Sequence, residues 1–311
     1  MSTLDKTQLT QLIKAHALEL GFEQCGIAKA ERLENEETKM LEWLEKGYNG
    51  TMAYMANHFD KRMDPTLLVE GAKSVIVVLF YYYPPLKQRE DSLYKISKYA
   101  YGEDYHEVLK NKLHALGSTL SQHVPDATFR AFVDSAPVME RAWAVKAGLG
   151  WTGKHSLLIV PRKGSYFFIG ELVTNVELEY DNPFVGNLCG ACMQCMISCP
   201  TGAIISPGMV DARKCISYQT IELKDDELSL EFQGQNKEWI YGCDVCQDAC
   251  PWNKKAEGHT HADFQPNLSL LELSNSEWEE LSEDQYKILF KRSAIKRAKY
   301  KGLMRNVRGI R

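Results

Sequence analysis

Apolar residues recur at helical and strand spacing over the first part of the chain and predict alternating helices and strands. A helix ending before Gly21 is predicted by apolar residues at helical spacing, namely Leu9, Leu12, Ile13, Ala17 and Leu20. A helix over 105–120 is predicted in the same way by Val108, Leu109, Leu113, Leu116 and Leu120. Between them, the apolar run SVIVVLFYY at 74–82 has the length and β-branched content of a buried central strand.

The next segment predicts another helix and more strands. A short strand ends at Asp134, and residues 137–147 follow as a helix with a proline near its start. The segments 157–161 and 165–174 are apolar and strand-like, and the Lys-Gly pair between them predicts a hairpin. We therefore expect an α/β (α+β) domain over residues 1–180.

Eight of the nine cysteines lie between residues 189 and 250, in two runs that each end in Cys-Pro. The first run contains Cys189, Cys192, Cys195 and Cys199. The second contains Cys243, Cys246 and Cys250, and Cys215 precedes it. Eight thiolates are the ligand count for two 4Fe–4S clusters, and the first spacing is that of a bacterial two-cluster ferredoxin.

In a two-cluster ferredoxin, the last cysteine of a run ligates the cluster of the other run. The spacing then predicts a first cluster held by Cys189, Cys192, Cys195 and Cys250. It predicts a second cluster held by Cys199, Cys215, Cys243 and Cys246, with Cys215 replacing the ligand that the second run lacks. We expect this ferredoxin-like domain to span residues 181–256.

Other uses of these cysteines are less favoured by the pattern. A disulfide framework is typical of short secreted domains, whereas this chain starts with a polar, helical segment rather than a secretory leader. Zinc can occupy any Cys-x2-Cys pair, but two runs with trailing prolines favour iron–sulfur clusters. Cys25 lies in the apolar segment GFEQCGIA and is predicted to be a buried core thiol.

The composition is that of a globular protein, with 44% apolar and 25% charged residues. We expect no membrane span, because no run of about 18 apolar residues occurs.

The net charge of -4 conceals a basic C-terminal segment, since residues 285–311 contain ten Lys or Arg and no Asp or Glu. Such a stretch is either a solvated helix face or a phosphate contact, and its lack of acids favours the phosphate contact. Unpaired cysteines also predict a reducing cytoplasm.

Two further features each allow more than one interpretation. The segment 148–153 reads GLGWTG, but a predicted helix precedes it and strands follow, the reverse of the order in nucleotide-binding loops. We expect these glycines to turn the chain or to let the backbone approach a large flat group. Asp134 is either the N-cap of the helix 137–147 or a general acid whose pKa is raised by burial.

Taken together, several segments resemble the epoxyqueuosine reductase family over nearly the whole chain. The resemblance rests on both cysteine runs and on KRMDP (61–65), YGEDYHEVLK (101–110), VDSAPVMERAWAVKAGLGWTGKHSLLI (133–159), RKCISY (213–218) and IKRAKYKGLMRN (295–306). Many members of that family continue into a HEAT-like repeat domain. This sequence stops at Arg311, so we expect the helical basic segment 257–311 to carry a shortened RNA contact.

The resemblance implies a cobalamin enzyme that reduces epoxyqueuosine to queuosine at the wobble position of tRNA. Cobalamin, held base-off between the N-terminal and cluster domains, would be reduced by the two 4Fe–4S clusters. Asp134 matches the proton donor of the family. Cofactor-binding positions implied or suggested by the resemblance are Arg62, Ser97, Asp134, Arg141, Lys154, His155, Leu158, Ile169, Ser217 and Asp244. Leu158 and Ile169 also fit ordinary core positions.

The resemblance also implies partners. Candidate contacts to the phosphates of an anticodon loop are Lys296, Arg297, Lys299, Lys301 and Arg305. A small flavodoxin or ferredoxin is the expected electron donor, and we expect a cytoplasmic monomer. Two alternative functions remain at this stage: a cobalamin and iron–sulfur reductive dehalogenase of small molecules, and a non-catalytic ferredoxin-type module.

Overall fold

The structure is a computed structural model that describes residues 4–224, 235 and 238–310. Its helices are α1 (Lys6–Glu19), α2 (Glu34–Glu45), α3 (Phe59–Met63), α4 (Tyr105–His123), α5 (Glu140–Lys146), α6 (Gln194–Ser198), α7 (Ile216–Ile221), α8 (Val245–Asp248), α9 (Leu268–Leu271), α10 (Asn275–Glu279), α11 (Glu283–Leu289) and α12 (Lys299–Arg308). Single 3₁₀ turns occupy Ala53–Met55, Pro65–Leu67, Lys98–Ala100, Ala212–Lys214, Pro251–Asn253, Ala262–Phe264 and Ala294–Ala298.

The strands are mostly short. They are β1 (Gln24–Lys29), β2 (Ser74–Tyr81), β3 (Lys95–Ile96), β4 (Phe129–Phe132), β5 (Trp151–Thr152), β6 (Leu158–Ile159), β7 (Phe167–Thr174), β8 (Ile204–Ser206), β9 (Met209–Val210) and β10 (Trp239–Tyr241). The two longest are β2, a nearly continuous apolar run, and β7, which is apolar except for Gly170, Glu171 and Thr174, and they pair with each other.

A four-stranded antiparallel sheet in the order β1-β2-β7-β4 forms the centre of the N-terminal part. The prediction that 74–82 forms a buried central strand is confirmed, because β2 pairs on both sides and is almost wholly buried. Alternate residues of the central strands face opposite layers, as strand geometry requires. One face packs against α1 and α4, and the other packs against α5. The fold is therefore a mixed α/β layered structure, as expected.

The predicted hairpin between 157–161 and 165–174 is wrong. The chain does turn there, with one bridge between Val160 and Gly164, but the flanking strands separate. β6 pairs with β5, whereas β7 inserts between β2 and β4 in the main sheet. The physical reason is burial, since a strand that is apolar on both faces needs a layer on each side, which an isolated hairpin lacks.

The C-terminal helices do not form a separate layer. A single core joins them to the segment around β3 and β10, which pair in parallel, and includes Tyr94, Ile96, Ile240, Tyr241, Leu270, Trp278, Phe290, Leu303 and Val307. Packing therefore crosses residues 180 and 256, where the sequence suggests boundaries, and those boundaries stay predictions. Within the described residues, no helix has both the length and the apolar character needed to cross a bilayer.

Candidate cluster centres and catalytic site

The first four predicted cysteine ligands surround one cavity. Cys189, Cys192 and Cys195 lie in the loop that leads into α6 and in its first turn, and Cys250 follows α8. Together they line a cavity of about 290 Å³, whose wall is completed by Lys154, His155, Ile159, Leu188, Pro251 and Trp252. Since α6 and α8 pack against each other, cysteines far apart in sequence meet at this point.

The other four cysteines form a second group. Burial raises the pKa of the Cys243 thiol to about 12, and the neighbouring Cys215 and Cys199 sulfurs raise it further. The Cys246 thiol has a raised pKa for the same reasons: burial first, then Cys215, Cys243 and Cys199 among its neighbours. The structure thus brings Cys199 and Cys215 together with the second run.

Both groups fit clusters better than single ions. Zinc requires four ligands within about 2.3 Å of one centre. Among residues 4–224, 235 and 238–310, no three His, Cys, Asp or Glu side chains are placed to hold one metal ion. Four thiols around one cavity suit a multi-iron cluster, because the positive charge of its iron–sulfur core stabilises the thiolates that burial disfavours.

Protein donors already point at some of these sulfurs. The indole N–H of Trp151 donates to the Cys189 sulfur at 3.5 Å, and the Ala203 N–H donates to the Cys199 sulfur at 3.3 Å. Trp151 belongs to an aromatic wall in which its ring contacts Phe184 and Trp252. Such hydrogen bonds are the contacts by which a protein adjusts the potential of a cluster.

Asp134 lies in the loop after β4, outside any helix. The N-cap alternative is wrong, because α5 begins at Glu140 and its N-cap residue is Met139. One carboxylate oxygen of Asp134 accepts a hydrogen bond from the Tyr105 hydroxyl at 2.5 Å and lies 3.8 Å from His106 Nε2. The expected burial of Asp134 is wrong, because its side chain is 59% exposed, and a substrate can therefore reach it.

The backbone at Asp134 is held in an uncommon conformation. Its φ of 50° lies in the left-handed region, where an aspartate carries a modest energetic cost. The Asp134 N–H donates to a carboxylate oxygen of Glu140, which fixes this conformation. Tyr105, at the start of α4, is itself fixed by stacking on Phe168 with ring centroids 4.1 Å apart. The carboxyl group is thus positioned before any substrate arrives.

Arg62 is a buried cation with unused hydrogen-bonding capacity. It lies on α3 and is 7% exposed, and one guanidinium nitrogen donates to the Tyr54 carbonyl at 3.0 Å. Its Nε has no hydrogen-bond partner among the described residues. Burial lowers the pKa of Arg62, so an acceptor supplied by a bound group would be favourable there.

Ser97 and Asp244 lie together beside the second cysteine group. Asp244, next to Cys243, is 3% exposed and accepts the Lys98 N–H at 2.8 Å. Ser97 is 1% exposed, and its N–H donates to the Tyr241 carbonyl at 2.8 Å. Ser217 is partly buried in α7, two residues after Cys215.

Three of the remaining predicted cofactor positions belong to or contact the loop between β5 and β6. Arg141 donates to the Ser156 carbonyl at 2.7 Å, and Lys154 donates to the Gly190 carbonyl at 2.8 Å. His155 is 4% exposed and lines the first cysteine cavity, with no partner for its Nε2 among the described residues. Leu158 and Ile169 belong to the core between the sheet and α5, which favours their interpretation as ordinary core.

The glycines of 148–153 are explained by packing within the chain, and the expectation that their backbone also approaches a large flat group stays a prediction. A Cβ at Gly148 would lie 2.7 Å from the Asn182 carbonyl oxygen. A Cβ at Gly150 would clash with the Ile159 carbonyl oxygen, and one at Gly153 with the Ile159 side chain. These glycines therefore permit close packing within the chain itself.

The basic C-terminal residues differ in their environments. Lys296 pairs with Asp104 at 2.6 Å, and Arg297 pairs with Glu222 at 2.7 Å. Lys299 and Lys301 are exposed on α12. Arg305 is 8% exposed and donates to the carbonyls of Leu223 and Gln219. The prediction of a phosphate contact at Arg305 is therefore contradicted by its burial.

Sequence reasoning missed Glu140 and Glu171. Glu171 is 0% exposed in β7, and neither carboxylate oxygen has a hydrogen-bond partner within the described part of the chain. The signal was present, because a single acidic residue interrupts an otherwise apolar strand. Glu140 gave no such signal, since an acid in the first turn of a helix is ordinary.

Comparisons with known proteins agree with this site. A family model described as epoxyqueuosine reductase QueG, DUF1730 matches residues 62–135, and a 4Fe-4S double cluster binding domain matches residues 188–253. An epoxyqueuosine reductase from Cellulophaga algicola is 52% identical over 302 residues, which cover 97% of this chain and 98% of that protein.

Two solved structures add to the comparison. An epoxyqueuosine reductase with a tRNA-Tyr epoxyqueuosine-modified stem loop has a TM-score of 0.90 at 28% identity, covering 97% of this chain and 80% of that one. The Bacillus subtilis epoxyqueuosine reductase, with its aspartate-bearing catalytic loop swung out of the active site, has a TM-score of 0.89 at 28% identity and covers 97% and 81%.

Proposed function

The chain belongs to the epoxyqueuosine reductase family, and on that premise we propose how its own residues reduce epoxyqueuosine to queuosine in tRNA. The reaction converts an epoxide to an alkene and water, and it consumes two electrons and two protons. The observation that carries the proposal is the exposed carboxyl of Asp134, held by Tyr105 in a protein that also groups its cysteines in two sets of four. Membership of this family disfavours the two alternative functions, a reductive dehalogenase and a non-catalytic ferredoxin module.

Two 4Fe–4S clusters would supply the electrons, consistent with the double cluster domain over 188–253. We assign Cys189, Cys192, Cys195 and Cys250 to the first cluster because they line one cavity. We assign Cys199, Cys215, Cys243 and Cys246 to the second because Cys215 and Cys199 raise the pKa of both Cys243 and Cys246. With this crossed assignment, each cysteine run would contribute a ligand to both clusters, which would hold them close together for electron transfer.

Cobalamin is the proposed cofactor between the clusters and Asp134. When bound, it would supply a strongly reducing metal centre that can act on the epoxide. The buried Arg62 suits one of its amide or phosphate acceptors, because its Nε lacks a partner among the described residues. Ser97, Ser217 and Asp244 would bound the cofactor on the side of the second cluster, where Asp244 adjoins Cys243. Arg141, Lys154 and His155 would support the opposite loop.

Asp134 is the proposed proton donor to the epoxide oxygen. Its side chain is exposed enough to meet a substrate, while the Tyr105 hydroxyl and the left-handed backbone fix its direction. A positioned general acid contributes about 10²- to 10⁴-fold to the rate of such a step. In this structure the loop after β4 directs the Asp134 carboxyl through the Tyr105 hydrogen bond and leaves it open towards solvent.

The tRNA is proposed to approach along the basic C-terminal segment. Arg297 lies 5.9 Å from the ring of Tyr54, and Asp134 is among the charges that raise the pKa of both groups. The basic segment and the catalytic carboxyl thus share one electrostatic neighbourhood. Lys296, Arg297, Lys299 and Lys301 form the proposed phosphate track, and the half-exposed Tyr54 offers a ring for base stacking.

The remaining partners follow from the chemistry. A small reduced flavodoxin or ferredoxin would deliver electrons to the exposed first cysteine run, where Cys189 and Cys192 are partly accessible. We propose a monomer that acts in the cytoplasm, where its tRNA substrate and a reducing environment are both available.

The test of the catalytic assignment is Asp134→Asn in a conversion assay with epoxyqueuosine-containing tRNA. We expect queuosine formation to fall about 10²-fold or more, because an amide cannot donate the proton. Iron and sulfide content should stay at the wild-type value. The matched control is Asp126→Asn, an exposed aspartate before the opposite end of β4. An Asp134→Asn protein that converts tRNA at the wild-type rate would remove Asp134 from the mechanism.

A further inference from the structure

The loop around the first cysteine run presents apolar side chains to solvent. Val185 is 90% exposed and Ile197 is 75% exposed, and Leu188 and Met193 are exposed as well. We call these four side chains the apolar surface. Residues 182–210 contain no Asp, Glu, Lys or Arg, although 25% of the whole chain is charged. Exposed apolar side chains that collect in one place mark an interaction site, whereas isolated ones need no explanation.

The apolar surface borders the cavity of the first cysteine group. Leu188 lines that cavity and is exposed on its outer side, so it belongs to both, and Val185 lies three residues before it in the same loop. Lys154 also lines the cavity and contacts the Met193 sulfur at 3.5 Å. The Met193 carbonyl in turn accepts the Ile197 N–H at 3.0 Å. A partner that covers this surface therefore lies next to the proposed first cluster.

Cations lie along another edge of the same cavity. Pro251 is part of the cavity wall, and Lys254 continues the same turn, since its N–H donates to the Pro251 carbonyl at 3.4 Å. Lys254 and Lys255 are both exposed, and neither forms an ion pair within the part of the chain that the structure describes. Lys154 bonds to neutral groups, a carbonyl and a thioether sulfur. The cavity thus has an apolar side and a positively charged edge.

One kind of partner fits this combination. Electron-transfer complexes bury less than about 1,200 Å², so a few exposed apolar side chains suffice for contact. The cations attract a negatively charged partner and speed its approach. A nucleic acid would instead need cations throughout the surface to pair with its phosphates, and residues 182–210 supply none. We propose that the apolar surface is the docking site of a small acidic flavodoxin, whose exposed flavin edge is itself apolar.

Docking at this surface gives the electrons a point of entry at the first cluster. Each transfer oxidises the reduced flavin by one electron and reduces the first cluster by one electron, and the flavin releases its proton to solvent. Two such transfers supply the two electrons of one turnover. The inference rests on the proposed function, because it names the partner that delivers the electrons of that reaction.

The test is Val185→Glu in the reconstituted protein, with Ile288→Glu as the matched control. Ile288 is 80% exposed on α11, so both changes place a carboxylate at an exposed apolar position. Rapid mixing with reduced flavodoxin, followed by the cluster absorbance, measures the rate of cluster reduction by the partner. Dithionite, a small chemical reductant, measures the same reduction without docking. Ile197→Glu is a second variant, and iron content checks that every variant holds its clusters.

For Val185→Glu and Ile197→Glu we expect reduction by flavodoxin to slow at least about tenfold, because the new carboxylate repels an acidic partner and loses its hydration in the complex. Reduction by dithionite, iron content and tRNA affinity should stay at the wild-type values, and Ile288→Glu should match the wild type throughout.

The charged edge has a separate readout. The wild-type rate with flavodoxin should fall as the salt concentration rises, because salt screens the attraction between the two proteins. Lys254→Glu should weaken this salt dependence. Lys110→Glu, at an exposed lysine of α4, should leave it unchanged. An unchanged salt dependence in Lys254→Glu would remove this edge from the docking site.

Several results would overturn the docking site. They are a wild-type rate with flavodoxin in Val185→Glu, an equal slowing with dithionite, and wild-type clusters that flavodoxin does not reduce, whether or not a reduced ferredoxin does. If Val185→Glu lost tRNA affinity or dissociated a dimer while flavodoxin still reduced it normally, the surface would belong to the tRNA or to a second copy of the chain.

Conversion of epoxyqueuosine-containing tRNA separates this inference from the proposed function. Dithionite should drive conversion in Val185→Glu as well as in the wild type, whereas flavodoxin should drive it in the wild type far better than in the variant. Absent conversion beside flavodoxin reduction that depends on Val185 would contradict the proposed function and leave the docking site in place. Normal conversion beside flavodoxin reduction that does not depend on Val185 would contradict only the docking site.

Discussion

Hydrogen bonds to individual cysteine sulfurs distinguish the two proposed clusters. The Trp151 indole N–H donates to Cys189 in the first group, and the Ala203 backbone N–H donates to Cys199 in the second. A donor to a thiolate withdraws charge from it and favours the reduced cluster, so each bond raises the potential of its own cluster. Trp151 can be replaced without changing the backbone, which makes its contribution measurable.

We predict that Trp151→Phe lowers the reduction potential of the first cluster and leaves that of the second unchanged. Phenylalanine keeps much of the aromatic wall but lacks the donor. The measurement is a redox titration of the reconstituted protein, followed by electron paramagnetic resonance. Trp252→Phe is the matched control, because that ring contacts Trp151 and lines the same cavity. Equal potentials in wild type and Trp151→Phe would contradict the prediction.

At the scale of single residues, the spacing of residues along the chain supports predictions, but their contacts in the folded chain cannot be predicted from it. The grouping of the cysteines follows from short gaps that a loop must satisfy, so it can be predicted from the sequence. Asp134 could be selected, but its contacts Tyr105 and Glu140 come from separate helices that meet only in the folded chain. Arg305 looks like its exposed neighbours in the sequence, and only the packing of α12 against Gln219 and Leu223 reveals its burial.

At the scale of elements, the short strands β5 and β6 connect the two halves of the site. The loop between them carries Lys154, which reaches the first cysteine loop, and Ser156, whose carbonyl Arg141 of α5 contacts. This connection requires Gly150, because the Ile159 carbonyl occupies the space of a side chain. The sequence predicted strands here but not their partners, since pairing is decided by which sheet can bury β7 on both faces.

We predict that Gly150→Ala destabilises the protein by about 1–3 kcal/mol or more, because the added methyl group forces the Ile159 backbone to move. The matched control is Gly302→Ala in α12, where the nearest contact of a Cβ is an ordinary 3.9 Å to Ala298. That change should be neutral or stabilise by up to ~1 kcal/mol, as for glycine in a helix interior. Thermal unfolding of both variants checks the prediction, which a wild-type Tm for Gly150→Ala would refute.

At the scale of the whole molecule, the C-terminal helices belong to the same packed core as the preceding part of the chain. α12 shares a core with β10 and with the segment around β3, so the basic residues are mounted on the same body as the clusters. Ion pairs from Lys296 to Asp104 and from Arg297 to Glu222 attach this surface to the catalytic side. The composition of the C-terminal segment predicts a basic surface, and the fold shows which of its basic residues are exposed and which are buried.

We therefore predict different effects from substituting two basic residues of α12, one on tRNA binding and the other on stability. Lys299→Glu should weaken tRNA binding and reduce its salt dependence while the protein keeps its wild-type stability, because an exposed lysine acts through phosphate attraction. Arg305→Ala should instead cost roughly 3 kcal/mol of stability, because hydrogen bonds of a buried cation are lost. The measurements are tRNA affinity across salt concentrations and thermal unfolding. Unchanged tRNA affinity in Lys299→Glu would remove this surface from the binding site.

The most direct test of the central claim is the conversion of epoxyqueuosine-containing tRNA by the reconstituted wild-type protein, read by mass spectrometry of the released nucleosides. Anaerobic reactions contain reduced clusters with cobalamin added or omitted. The account predicts queuosine in the complete reaction and little or none without cobalamin. No queuosine in the complete reaction, or equal amounts with and without cobalamin, would contradict it.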